Sequence, residues 1–182
     1  MAGTNASIDL RSHIRSIPDF PKPGIMFRDI TPLLLDPLVL KEAVRRMAEP
    51  YDPAKVDLVA GAESRGFIFG TAVAIVLDAG FVPIRKQGKL PAETASVTYN
   101  LEYGTDTIEM HTDAVAAGAR VLMVDDLLAT GGTMAACCQL VEKAGGNIVG
   151  VEFLIELSFL NGRDLLEGYP VRSQIVYESE EP

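Results

Sequence analysis

Tryptophan is absent from this sequence, and cysteine and histidine occur only twice each among its 182 residues. Cys137 and Cys138 are neighbours in a segment of helical character. That placement serves neither a disulfide framework nor a zinc site, and it fits a reducing compartment. His13 and His111 have no partner at metal-ligand spacing and receive no role. Long apolar runs are missing as well. A membrane-spanning helix needs about 20 such residues, and the longest candidate, residues 67–77, is interrupted by Gly70 and Thr71 and halted by Asp78. Residues 1–16 lack a basic stretch followed by an apolar one, so they do not read as a secretory leader. A cytoplasmic protein with no membrane partner is expected. Positive charge is also scarce: 16 Lys plus Arg against 25 Asp plus Glu leave a formal charge of −9. Such a surface repels nucleic acid, and a polyanionic ligand has to be met by a local cationic pocket.

What remains is globular in character, with 48% hydrophobic and 23% charged residues, in a length suited to one domain over residues 1–182. Residues 1–7 and 178–182 are polar or acidic ends, expected to fray. Ile8, Ile14 and Ile17 stand at helical spacing ahead of a stiff, proline-rich stretch from Pro18 to Gly24. The pattern predicts a helix over residues 37–48, capped by Asp36 and opened by Pro37, with Leu40, Val44 and Met47 on one face. Strands are predicted over 56–61, 81–85, 121–124 and 148–157, and helices over 64–77 and 132–144. Residues 86–104, with no clean periodicity, read as a functional loop with room for a small hairpin. Strands alternating with helices define an α/β fold with a mainly parallel sheet, whose ligands sit beyond the carboxyl ends of the strands.

That rule directs attention to residues 121–133. An apolar strand runs into Asp125 and Asp126, a short loop follows, and a helix begins at Gly131 and Gly132. The glycines let bare backbone curl around a ligand, and the first helical N–H groups face it with the positive end of the helix dipole. Thr130 and Thr133 add hydroxyl donors. The combination is a phosphate cradle, without the Gly-Lys-Ser/Thr of a Walker loop. Carboxylates repel phosphate but accept hydrogen bonds from vicinal sugar hydroxyls. Acids followed by Thr-Gly-Gly-Thr therefore call for a ribose that carries a phosphate.

The run Val124-Asp125-Asp126 with Ala129-Thr130-Gly131-Gly132-Thr133 resembles the phosphoribosyl diphosphate (PRPP) motif of type I phosphoribosyltransferases. Four further stretches (residues 20–30, 63–67, 85–91 and 101–104) narrow the resemblance to the adenine phosphoribosyltransferases, over residues 14–177. It implies a central, mostly parallel sheet flanked by helices, with a small hood and a flexible loop. The implied reaction transfers 5-phosphoribosyl from PRPP to adenine, giving AMP and diphosphate. Mg²⁺ would be bound with PRPP and without direct protein ligands, and the implied assembly is a homodimer. Phosphoribosyl transfer to another purine, or a non-catalytic PRPP sensor, are the alternatives. The Phe20 to Ile30 stretch speaks against the first, and Glu102 with Lys89 against the second.

The same resemblance distributes the roles. Asp125 and Asp126 serve the ribose hydroxyls, and Ala129, Thr130, Gly131, Gly132 and Thr133 hold the 5-phosphate. Glu63, Ser64 and Arg65 meet the diphosphate in a loop expected to contain a cis peptide between Glu63 and Ser64. Arg85, Lys86 and Lys89, the densest basic group of the chain, suit a leaving diphosphate. Glu102 exchanges a proton with the purine ring, and Tyr103 helps to close the loop. Met26, Phe27 and Arg28 form the adenine pocket, with Phe27 stacked on the base, and Leu157 covers its other face.

Overall fold

The computed structural model describes residues 8–100 and 104–181. The chain opens with a 3-10 turn at Arg11–His13 and two short strands, β1 (Arg15–Ile17) and β2 (Phe27–Asp29), paired antiparallel. Helical spacing over residues 8–17 therefore does not become a helix. Pro18 holds Ile17 extended, Arg15 reaches Asp29 across the ribbon at 2.6 Å, and the buried Leu10 and Ile14 anchor the segment to the core. Two helices follow, α1 (Thr31–Leu35) and α2 (Pro37–Ala48). The second has the predicted bounds: Asp36 accepts from the Leu38 and Val39 N–H groups, and Val44 and Met47 are buried. The short α1 was not anticipated.

The remaining chain alternates as β3 (Leu58–Ala62), α3 (Gly66–Val76), β4 (Gly80–Lys86), β5 (Thr94–Asn100), β6 (Thr105–His111), β7 (Arg120–Leu128), α4 (Gly132–Lys143), β8 (Asn147–Leu157) and β9 (Val171–Tyr177). Among the described residues seven strands form one sheet in the order β5-β6-β4-β3-β7-β8-β9. From β4 to β9 the neighbours run parallel, and β5 and β6 add an antiparallel hairpin at one edge. Within the expected loop over residues 86–104, residues 94–100 form β5, which pairs with β6 beyond the predicted end of the loop. Strand β7 runs four residues past its predicted end. Pairing with β8 as far as Leu128↔Glu156 holds Asp125 and Asp126 in the strand rather than in the loop.

Because β3 proceeds to β4 on one side while β7 proceeds to β8 on the other, α3 and α4 cover opposite faces. The period of two along β7 serves both layers. Leu122 and Val124 join Phe69 and Val73 of α3 with Met47 of α2, whereas Val121 and Met123 join Cys137 and Leu140 of α4 with Phe153 of β8. Burying Phe69 and Phe153 completely is worth about 1.5–3 kcal/mol each. Among the described residues no helix is long and apolar enough to cross a membrane. The divergence of connections between β3 and β7 leaves a crevice at their carboxyl ends, the place where such sheets bind ligands.

Candidate functional site

A cleft of about 490 Å³ opens there, lined by Glu63, Ser64 and Arg65 from the end of β3 and by residues 125–134 from β7, the turn and α4. Two segments far apart in sequence thus meet as expected. The peptide bond between Glu63 and Ser64 is cis, as the resemblance implied.

Gly131 caps α4 in the left-handed region, with φ +84, and no side chain occupies that cap. The first N–H groups of α4 have no intrahelical acceptor by geometry and face the cleft. The turn is open to ligand rather than packed shut. Asp125 and Asp126 both line the cleft, and the alternation of the strand separates their partners. Asp125 Oδ1 accepts from the Asp126 N–H at 2.9 Å and lies under the start of α3, where a Cβ on Gly66 would stand 2.6 Å from it. Asp126 Oδ2 lies 2.7 Å from Arg65 Nε, but the N–H is not aimed at it, so this buried oxygen has no hydrogen bond among the described residues. Burial pushes both carboxyls up. The charge of Asp126 pushes Asp125 further, and Arg65 holds Asp126 back.

Arg85 and Lys86 are already engaged with acids. Arg85 Nε donates to Glu63 Oε2 at 2.7 Å, and its Nη1 donates to the Lys89 carbonyl at 3.2 Å. Lys86 Nζ stands 3.2 Å from Asp106, while Lys89 is exposed. Arg85 near the end of β4 and Lys89 in the turn that follows are therefore held together beside the loop of Glu63. Tyr99 on β5 meets Thr133 at 3.1 Å between hydroxyl oxygens, a link from the edge hairpin to the start of α4 that the sequence did not signal. Glu102 and Tyr103 lie outside the described residues.

The expected adenine residues sit on or beside the β1–β2 ribbon, which forms the hood, and at the end of β8. Phe27 packs edge-on against Phe20 at 5.1 Å, and the Arg65 guanidinium lies 5.4 Å from the Phe27 ring centre. Arg65 thus joins the hood to the cleft. Arg28 is buried with its guanidinium 3.9 Å over the Tyr177 ring. Its terminal nitrogens donate to Ser16 Oγ and the Glu181 carbonyl, and its buried Nε has no hydrogen bond among the described residues. Met26 is half-buried, and Leu157 ends β8 opposite Tyr177.

The parallel sheet, the glycine turn after a doubly acidic strand and the arginine loop facing it define a phosphoribosyl-transferring domain. Residues 34–172 match the phosphoribosyl transferase domain, and the chain belongs to that family. Within it, the chain is similar to an adenine phosphoribosyltransferase of Rhodopirellula baltica, 56% identical over 170 residues, which are 93% of this chain and 82% of that protein. The solved adenine phosphoribosyltransferase of Thermoanaerobacter pseudethanolicus superimposes with a TM-score of 0.90 at 52% identity, covering 92% of this chain and 98% of that one. That of Saccharomyces cerevisiae, complexed with an imino-altritol bisphosphate and adenine, superimposes with a TM-score of 0.86 at 40% identity, covering 91% of this chain and 96% of that one.

Proposed function

We propose that this chain is a purine-salvage enzyme that transfers the 5-phosphoribosyl group from PRPP to adenine, forming AMP and diphosphate. One observation carries the reading. Two carboxylates, a bare glycine turn at a helix N-terminus and Arg65 converge on one cleft, and the same Arg65 lies against the aromatic hood residue Phe27. Sugar, phosphate, diphosphate and base each find a matched group within reach of one another.

The backbone of residues 129–133 holds the 5-phosphate through helix N-terminal amides and the Thr130 and Thr133 hydroxyls. Asp125 and Asp126 take the vicinal ribose hydroxyls. The unbonded, buried Asp126 Oδ2 is an acceptor suited to one of them. As diphosphate leaves and the anomeric carbon becomes oxocarbenium-like, Arg65, Arg85 and Lys89 stabilise the departing charge. Arg85 reaches that position by exchanging Glu63 for substrate oxygens. Two cleft carboxylates, one beside an arginine, fit Mg²⁺ only in the company of its substrate. The ion, when bound with PRPP, neutralises diphosphate charge. Met26, Phe27, Arg28 and Leu157 hold adenine, and Arg28 Nε is the guanidinium donor not already committed. Glu102 accepts the purine proton, and Tyr103 helps to exclude water.

A homodimer is part of this reading. Leu35, Leu38, Ile75 and Val76 are exposed on α1, α2 and the end of α3, large apolar side chains of the kind that a second copy would cover. Sedimentation velocity tests it, a single monomer boundary at micromolar concentration being the contrary result. The location is cytoplasmic, and residues 1–182 act as one domain. For the reaction, protein is mixed with Mg²⁺-PRPP and adenine, hypoxanthine or guanine, and released diphosphate is measured. Turnover with adenine alone is expected. Turnover confined to another base, or binding without turnover, overturns the proposal.

A further inference from the structure

The phosphate turn has a back wall that its own sequence does not contain. After β8 the chain forms a 3-10 turn at Gly162–Leu166, entered through Asn161 in the left-handed region at φ 53. The Gly162 backbone lies directly against the cradle. A Cβ built on Gly162 would stand 2.2 Å from the Ala129 carbonyl oxygen and 2.9 Å from Leu128 Cδ1, and one built on Gly131 would stand 2.3 Å from the Gly162 carbonyl oxygen. Two glycines thus allow two backbones to touch, and neither position admits a side chain without movement.

What holds the back wall in place is an ion pair at the end of β8. Arg163 grips Glu156 bidentately, Nε to Oε1 and Nη2 to Oε2, each at 2.6 Å. Arg163 Nη1 donates to the Val171 carbonyl at 3.0 Å, and Ser173 Oγ donates to Glu156 Oε2 at 2.6 Å. The Glu156 side chain is only 6% exposed. A planar, two-point fork fixes direction as well as distance. The turn is therefore pinned to β8 and β9, and through Gly162 it presses on residues 129–131.

We infer that Glu156 and Arg163 are positioning residues for the 5-phosphate, acting through the backbone contact of Gly162 with Gly131 and Ala129. They touch no substrate. They hold the N–H groups of the turn converged on the phosphate, so that this geometry does not have to be reached on binding. The effect falls mainly on one half of the substrate pair: Leu157 follows Glu156 in β8, but the bonds of the fork run to Val171 and Ser173, and among the described residues none goes to Met26, Phe27 or Arg28. The inference rests on the reading of residues 129–133 as the phosphate cradle.

The test uses the full chain and titrates ribose 5-phosphate and adenine separately by calorimetry, alongside KM for PRPP and for adenine. Arg163→Met and Glu156→Gln are expected to weaken ribose 5-phosphate binding and raise KM for PRPP by about 10- to 100-fold. Adenine affinity stays within about twofold, and Arg163→Lys, with one contact in place of two, falls in between. Gly162→Ala gives the same pattern more severely. Should it fail to fold, the half-exposed Arg163 variants carry the test. Unchanged ribose 5-phosphate affinity in the Arg163 and Glu156 variants overturns the proposal, as does an equal loss for both ligands, which marks a general packing defect. A wild-type protein that does not bind ribose 5-phosphate refutes the cradle itself, a result distinct from either.

Discussion

Gly131→Ala tests the cradle most directly, because two separate penalties fall on one methyl group. The first is conformational: at φ +84 the residue is in the left-handed region, where an L side chain costs about 1–2 kcal/mol. The second is steric. The new Cβ would lie 2.3 Å from the Gly162 carbonyl oxygen, whereas ordinary contact begins near 3.4 Å. One of the two backbones must therefore move by about 1 Å, and overpacking of this kind costs about 1–3 kcal/mol. Gly118→Ala is the matched control. It has φ +82 and nothing within 4 Å of an added Cβ, at the opposite end of β7 from the acids. It bears the first penalty only. Thermal unfolding should therefore place Gly131→Ala below Gly118→Ala by the steric share alone, at about 2–4 °C per kcal/mol for a chain of this size. A displacement of about 1 Å in a positioning element costs up to about 100-fold in productive binding, so ribose 5-phosphate affinity should fall steeply in Gly131→Ala and stay near wild type in Gly118→Ala. If the two variants bind the phosphate equally well, the amides of this turn are not its binding site.

Three further outcomes are expected. Glu102→Gln keeps PRPP binding and loses about 100- to 10,000-fold in turnover, the range of general acid–base catalysis; an unchanged rate removes Glu102 from the chemistry. Asp29 is held at a pKa of about 2 by hydrogen bonds from Thr31 and then by Arg15. A depressed folded-state pKa means stability that is present above the unfolded value near 4 and is lost as pH falls from about 4 towards 2. Urea unfolding of Asp29→Asn should flatten that acid limb, and an acid limb identical to wild type would contradict it. Cys137 and Cys138 are buried, with burial pushing the Cys138 thiol up to about 12. Neither should react with a thiol-labelling reagent in the native protein at neutral pH, and both should react in denaturant.

Local information in the chain was sufficient where a signal is short-ranged. Asp36 and Pro37 set the start of α2, hydrophobic runs located β3, β4, β7 and β8, and adjacent glycines after two acids marked the cradle. Of the proposed site, the acids and glycines of residues 125–133 stand out by their local chemistry, whereas the roles proposed for Met26, Phe27, Arg28, Glu102 and Leu157 come from the family resemblance alone. Tertiary pairing decided the rest. Residues 8–17 became a turn and a strand because β2 offered a partner, and β7 kept its acids because β8 runs alongside them. Asp125 faces α3 while Asp126 faces Arg65, an arrangement no single segment encodes. The back wall of the cradle was invisible in sequence: a 3-10 turn at Gly162–Leu166 has no periodicity, and the need for glycine at 162 arises only from the Ala129 carbonyl that the folded chain brings against it. Spacing singled out the turn for which phosphate binding is proposed, and the packing of distant backbones determined the shape in which it is held.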